Sequence, residues 1–570
     1  MPQRSARSPR TVALWLALWF STVGNWAMWR EVGNLIAQGR FGGGHPILLA
    51  AALGVVVFAL NAVLTLLFAW PRGMKPVWIA LAVVAGVAQH YMLAYGTVMD
   101  PGMLANVFQT DPREVRDLLG LPLLGQVLLV AGPPALWLAR LPLQRFGAWG
   151  QLWRTLATLA AVLAAAAAVA LAHYRELAPM LRNNDQLRFM TNPASSVYSA
   201  LNAATKPLRK RGPRKLVAIG AGAKLGPSYA SAAAASRPPL FVLVVGETAR
   251  ADHFGLNGYP RDTTPELAAR DVDSFRDVRS CGTNTLASVP CMFSPLGKQG
   301  YESRKVDYEN LLDVLQAAGL GVVWIDNQAG CKTVCDRVLS YTTDDALGAR
   351  DPAAKALCDG GECLDSVMLL NLDRRIAALP EERRRNGIVV VMHQMGSHGP
   401  AYYRRSAPEN KRFQPECATN ELSKCEHGAL INVYDNSIAE TDRFLGRTID
   451  WLKARQDRFA TGMLYLSDHG ESLGEYGLFL HGLPYALAPE VQKHVPMVLW
   501  LGDGFARRQG LDRGCIRAKR DEALTHDNLF HTVLGTLDVG TPTYRPALDA
   551  FAACRGAPGL ASGRAGAAQR

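Results

Sequence analysis

No cysteine occurs before Cys281, and no small-residue cleavage pattern follows the first apolar run. The first absence leaves the N-terminal half without thiol ligands or disulfides. The second argues against a removable leader and leaves that run as a lasting part of the chain. Charge is scarce as well: Asp, Glu, Lys and Arg make up 19% of the 570 residues, while apolar types make up 49% and are unevenly spread. A chain of this length exceeds the usual single domain, and the uneven spread divides it.

What fills the first third is a series of long apolar runs. Thr11 to Trp29, Pro46 to Trp70, Val77 to Met99, Leu121 to Ala139 and Leu156 to Ala172 each approach the length that crosses a bilayer as helix. They predict an α-helical transmembrane domain of five spans over residues 1–172, with Pro133-Pro134 interrupting the fourth and the fifth at the short end. Arg4, Arg7 and Arg10 precede the first span, Arg72 and Lys75 join the second to the third, and Arg140, Arg145 and Arg154 lie between the fourth and fifth. Alternate loops are therefore basic, which puts the N-terminus in the cytoplasm and, with an odd number of spans, everything after Ala172 outside.

The cysteines give an independent argument. All ten lie beyond the membrane region, in an even number and mostly in close couples, which is disulfide usage and belongs to an oxidising compartment such as a periplasm. The expected pairs are Cys281 with Cys291, Cys331 with Cys335, Cys358 with Cys363 and Cys417 with Cys425, leaving Cys515 and Cys554 unassigned. A structural zinc site is the rival reading of Cys331-Lys-Thr-Val-Cys335. Residues 173–237 form a connector, its first part apolar and aromatic enough to rest on a bilayer surface, its later part a basic run from Lys206 to Lys215 and an Ala/Gly/Ser-rich stretch. The net charge of +12 does not point to nucleic acid, because that basic run lies outside; anionic lipid is the expected partner.

From Pro238 the pattern becomes α/β. Apolar runs at Leu240–Val245, Val322–Ile325, Ile388–Met392, Gly462–Leu466 and Val495–Leu501 read as buried strands, and helical stretches at Tyr308–Ala318, Asp365–Leu379 and Val433–Ala454 alternate with them. That is the signature of a mostly parallel sheet covered on both faces. Such sheets place ligands at the carboxyl ends of their strands, and there the chain carries Glu247, Asn327, His393, His398, Asp468 and His469. The stretch Ser467 to Gly482, SDHGESLGEYGLFLHG, sets an Asp oxygen beside a His nitrogen, a pairing that suits Zn²⁺ better than Mg²⁺ or Ca²⁺. The bland alternative makes Asp468 the N-cap of a helix from Glu471. A nucleophile is expected from the loop Cys281-Gly-Thr-Asn-Thr-Leu-Ala-Ser-Val-Pro-Cys291, where Thr283, Thr285 and Ser288 are chemically equivalent candidates.

Taken together, Val245-Gly-Glu-Thr-Ala-Arg250, Asn257-Gly-Tyr259, Cys281-Gly-Thr-Asn-Thr285, Cys331-Lys332, Gly396-Ser-His-Gly-Pro400 and Ser467-Asp-His-Gly-Glu-Ser-Leu-Gly-Glu475 resemble the lipid A phosphoethanolamine transferases, membrane-anchored members of the alkaline phosphatase superfamily that include polymyxin-resistance enzymes. The resemblance implies an alkaline-phosphatase-like (sulfatase-like) zinc-dependent catalytic domain over 238–556; the remaining residues, 557–570, are expected to be a disordered tail. It implies Thr285 as nucleophile, Glu247, Thr285, Asp468 and His469 as ligands of one tightly held zinc, and Lys332, His398 and His481 as holders of the substrate phosphate or of a second zinc. Asn106, Thr110 and Glu114, spaced to share one helical face unless Pro112 opens a new helix, are implied to form a lipid headgroup pocket. Gln328 stands where many relatives carry Asn, which puts in question an amide contact near Lys332.

The implied reaction moves phosphoethanolamine from phosphatidylethanolamine to a lipid A phosphate of lipopolysaccharide through phosphorylated Thr285. It is carried out by a monomer in a Gram-negative inner membrane, with the catalytic domain in the periplasm. A sulfatase would need a Cys or Ser in a Cys-x-Pro-x-Arg type loop, which Cys281-Gly-Thr-Asn-Thr285 does not provide. Phosphoglycerol transfer and transfer to core sugars or another periplasmic glycan are the nearer rivals.

Overall fold

The computed structural model describes residues 6–39, 41, 45–70, 73–107, 115–116, 118–184, 186–209, 215–230, 237–343, 352–359 and 362–556. The chain forms two compact units, one made of 1–109 with 118–211 and the other of 110–117 with 212–570.

In the first unit, helices α1 (Pro9–Thr22), α2 (Trp26–Ala37), α3 (Pro46–Leu67), α4 (Met74–Tyr95), α5 (Pro101–Val107), α6 (Leu121–Arg140) and α7 (Ala148–Ala172) are followed by α8 (Tyr174–Asn183) and α9 (Ala194–Arg209). Among the described residues four helices, α3, α4, α6 and α7, are long and apolar enough to cross a membrane. The expected first span, Thr11 to Trp29, is not one helix: α1 stops at Thr22, a 3₁₀ turn covers Val23–Asn25, and α2 starts at Trp26. Asn25 explains the break. It is fully buried, and its amide donates to the carbonyls of Phe20 and Asn192 while accepting from Asn192 N–H, so a side chain meets polar groups where a helical ladder would otherwise run. The expected fifth span is longer than its alanine-rich core, reaching back to Ala148. Pro133-Pro134 interrupts nothing, because α6 continues through it to Arg140. At the other end of α4, Gly96 at φ 69° takes the left-handed C-terminal position that other residues adopt at a cost.

The second unit is built on an eight-stranded sheet. Its strands are β1 (Pro239–Gly246), β2 (Asp273–Arg279), β3 (Gly321–Asp326), β4 (Leu339–Thr342), β5 (Ile388–His393), β6 (Ala460–Ser467), β7 (His494–Leu501) and β8 (Leu524–Thr525). They lie in the order β8-β2-β7-β6-β1-β5-β3-β4, and of these eight only β7 runs against the rest. Every residue of β1, β3, β5 and β6 is buried, as expected for strands covered on both faces. The strands not foreseen are β2, β4 and β8, whose polar or very short sequences carry no continuous apolar run. The expected helix Asp365–Leu379 is a 3₁₀ turn over Asp365–Leu369 and a short helix over Leu372–Ala377, separated at Asn371, which sits at φ 54°. Helices α10 (Thr285–Met292), α11 (Leu311–Ala317) and α12 (His427–Lys453) complete the frame. The four expected disulfides are present, and Cys515 pairs with Cys554. The expected tail at 557–570 lies outside the described residues.

Candidate active site

Strand register assembles the site. Ser467 is paired with Gly246 across β6 and β1, so the next residues, Asp468 and Glu247, emerge side by side at the carboxyl edge, and His469 follows. Candidate metal-binding atoms of Glu247, Asp468 and His469 all lie within 4.8 Å of one another, and all three side chains are inaccessible to solvent. His469 Nδ1 donates to the carbonyl of Gly470 at 2.9 Å, which aims Nε2 inward. That atom is 3.2 Å from Glu247 Oε1 and 3.5 Å from Asp468 Oδ2. Neither His469 Nε2 nor Asp468 Oδ2 makes a hydrogen bond, although both are buried. No helix starts at Glu471; Ser472–Leu473 is a short strand, so Asp468 is not a helix cap.

The electrostatics show a cluster short of positive charge. Burial and the neighbouring Glu247 carboxylate push Asp468 up. Burial disfavours the charged imidazole of His469, but Asp468 and Glu247 outweigh it and push that group up too. Burial likewise works against the charged Glu247 carboxylate, yet His469, with His398 and His481, holds it well below the usual range. Two buried carboxylates facing one imidazole nitrogen, with unpartnered atoms on two of the three residues, fit a divalent cation, and the mixed N and O donor set fits zinc.

Of the three hydroxyls in the Cys281–Cys291 loop, one points at this cluster. Thr285 Oγ1 donates to Glu247 Oε2 at 3.1 Å, whereas Thr283 Oγ1 donates to the Leu483 carbonyl and Ser288 Oγ to the Asp468 carbonyl. Thr285 is the first residue of α10, and Asn284 caps that helix by accepting from Ala287 N–H at 2.9 Å. The loop is anchored further by His526, whose Nδ1 accepts from Cys281 N–H and whose Nε2 donates to Ser467 O.

His398 and His481 belong to the same cluster of rings: His469 and His481 have centroids 4.3 Å apart, and His481 and His398 5.3 Å. The turn that carries His398 is fixed by Asp365, which accepts from Met395 N–H and Gly396 N–H. Gly396 is required there, since φ is +51° and a Cβ would come within 2.6 Å of the Glu247 carbonyl. Lys332 has its ammonium on Ala329 O, to which it donates at 2.8 Å beside the Cys331–Cys335 bridge. Asn327 is spent on Cys363 O and Asp365, and Gln328 closes its own turn by accepting from Ala329 N–H. Thr110 and Glu114 lie outside the described residues, and Asn106 is on α5 with a side chain that is not described.

The sequence pattern places His393 at the strand edge but does not tie Glu471, Tyr402 or Asp326 to the site. Glu471 is fully buried, accepts from Tyr402 O–H at 2.9 Å and faces His481 Nδ1 at 3.2 Å. Its position two residues after His469 was the available signal. His393 Nδ1 lies 3.1 Å from Asp326 Oδ2 at the adjoining strand ends.

A buried cluster of two carboxylates and an imidazole at the edge of a mostly parallel sheet, faced by a helix-terminal Thr, defines the alkaline-phosphatase-like class. In agreement, residues 239–539 match the sulfatase family and residues 56–208 match the family described as "Phosphoethanolamine transferase EptA/EptB". Phosphoethanolamine transferase EptA of Escherichia coli K12 is 38% identical over 524 residues, covering 90% of this chain and 91% of the relative. Phosphatidylethanolamine transferase Mcr-1 of Escherichia coli is 38% identical over 493 residues, covering 85% and 88%. The integral membrane lipooligosaccharide phosphoethanolamine transferase A from Neisseria meningitidis superposes with a TM-score of 0.87 at 32% identity, covering 96% of this chain and 98% of that one. The chain belongs to the phosphoethanolamine transferases of the alkaline phosphatase superfamily.

Proposed function

We propose that the chain transfers phosphoethanolamine from phosphatidylethanolamine to a phosphate of lipid A, and that Thr285 carries the group between them. The observation that supports this most directly is the Thr285 hydroxyl, aimed into the Glu247, Asp468 and His469 cluster while its two neighbours in the loop are spent on backbone carbonyls. Glu247, Asp468, His469 and Thr285 would hold a zinc ion, which when bound supplies the positive charge that makes the hydroxyl acidic and offsets the charge of the phosphate.

The chain's own groups account for the rest. Glu247 Oε2 accepts the hydrogen bond of the Thr285 hydroxyl and would take up its proton as the oxygen attacks phosphorus. The phosphorus–oxygen bond to diacylglycerol then breaks, and the departing glycerol oxygen takes up a proton from His398 or His481. An oxygen of the acceptor phosphate next attacks phosphorus, the bond from phosphorus to Thr285 Oγ1 breaks, and that oxygen takes its proton back from Glu247. His398, His481, Lys332 and the free N–H groups at the start of α10 would bind the non-bridging oxygens, where most phosphoryl-transfer catalysis lies. Asn106, Thr110 and Glu114 are assigned to the headgroup of the lipid donor.

The basic alternate loops support a catalytic unit outside an inner membrane. In this arrangement α1 and α2 together make the first of five crossings as one broken helix, residues 173–237 connect the last crossing to the catalytic unit, and the enzyme works as a monomer. A second acceptor reading has one observation behind it: the Kdo(2)-lipid A phosphoethanolamine 7''-transferase of Escherichia coli K12 is 30% identical over 308 residues, 53% of this chain.

Two measurements test the proposal. Mass spectrometry of lipopolysaccharide from cells with and without the chain is expected to show a phosphoethanolamine increment on lipid A. An increment confined to core sugars selects the second acceptor, and a phosphoglycerol increment overturns the donor assignment. Peptide mapping of protein exposed to phosphatidylethanolamine without lipid A is expected to find phosphoethanolamine on Thr285 together with one equivalent of released diacylglycerol. An adduct on Thr283 or Ser288 would move the nucleophile, and release with no adduct would favour direct transfer.

A further inference from the structure

The membrane unit contains a cleft that the transfer reaction does not use. It has a volume of about 460 Å³ and is lined by the start of α1 and the second half of α6, chiefly Arg7, Trp15, Trp19, Pro133, Pro134 and Trp137. That volume falls within the usual range of ligand clefts, about 300–1,000 Å³. The two prolines account for its character. Neither has an N–H, so the carbonyls of Leu129 and Val130 lose their helical donors. Within a bilayer an unmet carbonyl is costly, and Trp19 Nε1 serves one of them by donating to Val130 O at 2.9 Å. The walls that remain are aromatic and hydrocarbon, and Trp15 and Trp137 stay exposed.

Arg7 stands at the mouth on a fixed backbone. Its N–H donates to Pro142 O at 3.0 Å and its carbonyl accepts from Gln144 N–H at 2.9 Å, tying the entry of α1 to the loop after α6. Lys75 Nζ donates to Leu141 O, so the start of α4 lies at the same end. Arg10, Arg140 and Arg145 are exposed there as well. No Asp or Glu occurs in residues 1–30, 46–99 or 118–175, so the segments that form this end supply several cations and no carboxylate. An anion for Arg7 must come from outside these segments.

We infer that the cleft binds one phospholipid of net negative charge, of the phosphatidylglycerol class, with an acyl chain along Trp15, Trp19 and Trp137 and its phosphate on Arg7. Charge complementarity selects this occupant: a zwitterionic lipid brings its own ammonium and has less to gain from a cationic rim.

The test uses the full chain purified in detergent micelles, titrated with phosphatidylglycerol or phosphatidylethanolamine of identical acyl chains and read by native mass spectrometry. Phosphatidylglycerol is expected to bind about fivefold more tightly, the effect of one cation at an anionic headgroup. Arg7→Gln, a change at an exposed side chain, is expected to abolish that preference, whereas Arg10→Gln keeps it. Thr11 lines the same cleft, and Thr11→Trp, which fills it and leaves Arg7 in place, is expected to lower retention of both lipids. Equal binding of the two lipids by the unaltered chain overturns the proposal. So does an unchanged preference in Arg7→Gln, or an equal loss in Arg10→Gln, which would indicate diffuse charge attraction without a seat.

Discussion

The residues of the candidate site fall into two groups that different measurements separate. Glu247, Asp468 and His469 converge on one point with two unpartnered buried atoms, so on the proposed assignment an Ala substitution at any of them removes a ligand. Each is expected to lower zinc content by elemental analysis and to abolish transfer. His398→Ala and His481→Ala are expected to keep zinc and lose turnover, and full zinc in all five variants would contradict the ligand assignment. The Glu471 carboxylate lies between Tyr402 O–H and His481 Nδ1, a contact that orients the imidazole, so Glu471 is expected to act through His481. Partners of this kind are worth about 10- to 100-fold in activity or metal affinity. Glu471→Gln is expected to lower kcat by about tenfold with zinc content and thermal stability near those of the unaltered protein; a fall in zinc instead would place Glu471 among the ligands. Thr285→Ser keeps the oxygen but loses the methyl that restricts its rotamer, so partial activity is expected in the lipid A assay, against none for Thr285→Ala.

At the scale of elements, the short helix α10 and its loop are held at several points: the Cys281–Cys291 bridge, the Asn284 cap, and Gly482 N–H donating to Thr283 O. A bridge that closes a loop of about ten residues contributes about 3 kcal/mol at most, while the rest of the unit keeps its own core and four other bridges. Replacing Cys281 and Cys291 together by Ser is therefore expected to reduce transfer by a larger factor than it lowers the unfolding midpoint, because Thr285 loses its fixed position before the sheet loses its packing. Equal activity in the double variant would show that the cap and backbone contacts suffice. In the membrane unit the corresponding element is α6. Trp19→Phe leaves the Val130 carbonyl without its donor and is expected to lower stability in detergent by about 1 kcal/mol, measured by thermal unfolding.

For the whole molecule, a buried histidine couples stability to pH. His526 joins β6 to the Cys281–Cys291 loop with one nitrogen accepting and one donating, an arrangement only the neutral ring can make, and burial pushes it down to about 3. The unfolded chain takes up a proton near pH 6.5 while the folded chain does not, so stability is present above about pH 6.5 and is lost as pH falls toward 3. Between pH 7 and pH 5 the loss from this group is roughly 2 kcal/mol. Denaturant unfolding of the full chain at the two pH values is expected to show it, and His526→Gln, which keeps an acceptor and a donor but no titration, is expected to lose about that much less over the same interval. An identical pH slope in both proteins would remove His526 from the account.

The sequence by itself determined a good deal. Five of the eight strands of the main sheet are apolar runs, four of them lead into polar residues, and because parallel strands deliver their carboxyl ends to one edge, Glu247, His393, Asp468 and His469 were legible as neighbours from the sequence alone. The close cysteine couples were legible for the same local reason. What only the tertiary structure decided is where side chains point once distant segments meet. Thr285 and Glu247 are 38 positions apart, and nothing local distinguishes that hydroxyl from those of Thr283 and Ser288. Glu471 gains its role from Tyr402, 69 positions away, and Asn25 breaks the first helix through Asn192, 167 positions away. Periodicity and composition report which face of an element is buried; a hydrogen bond between remote side chains depends on how the elements are packed, and that is fixed only when the whole core closes.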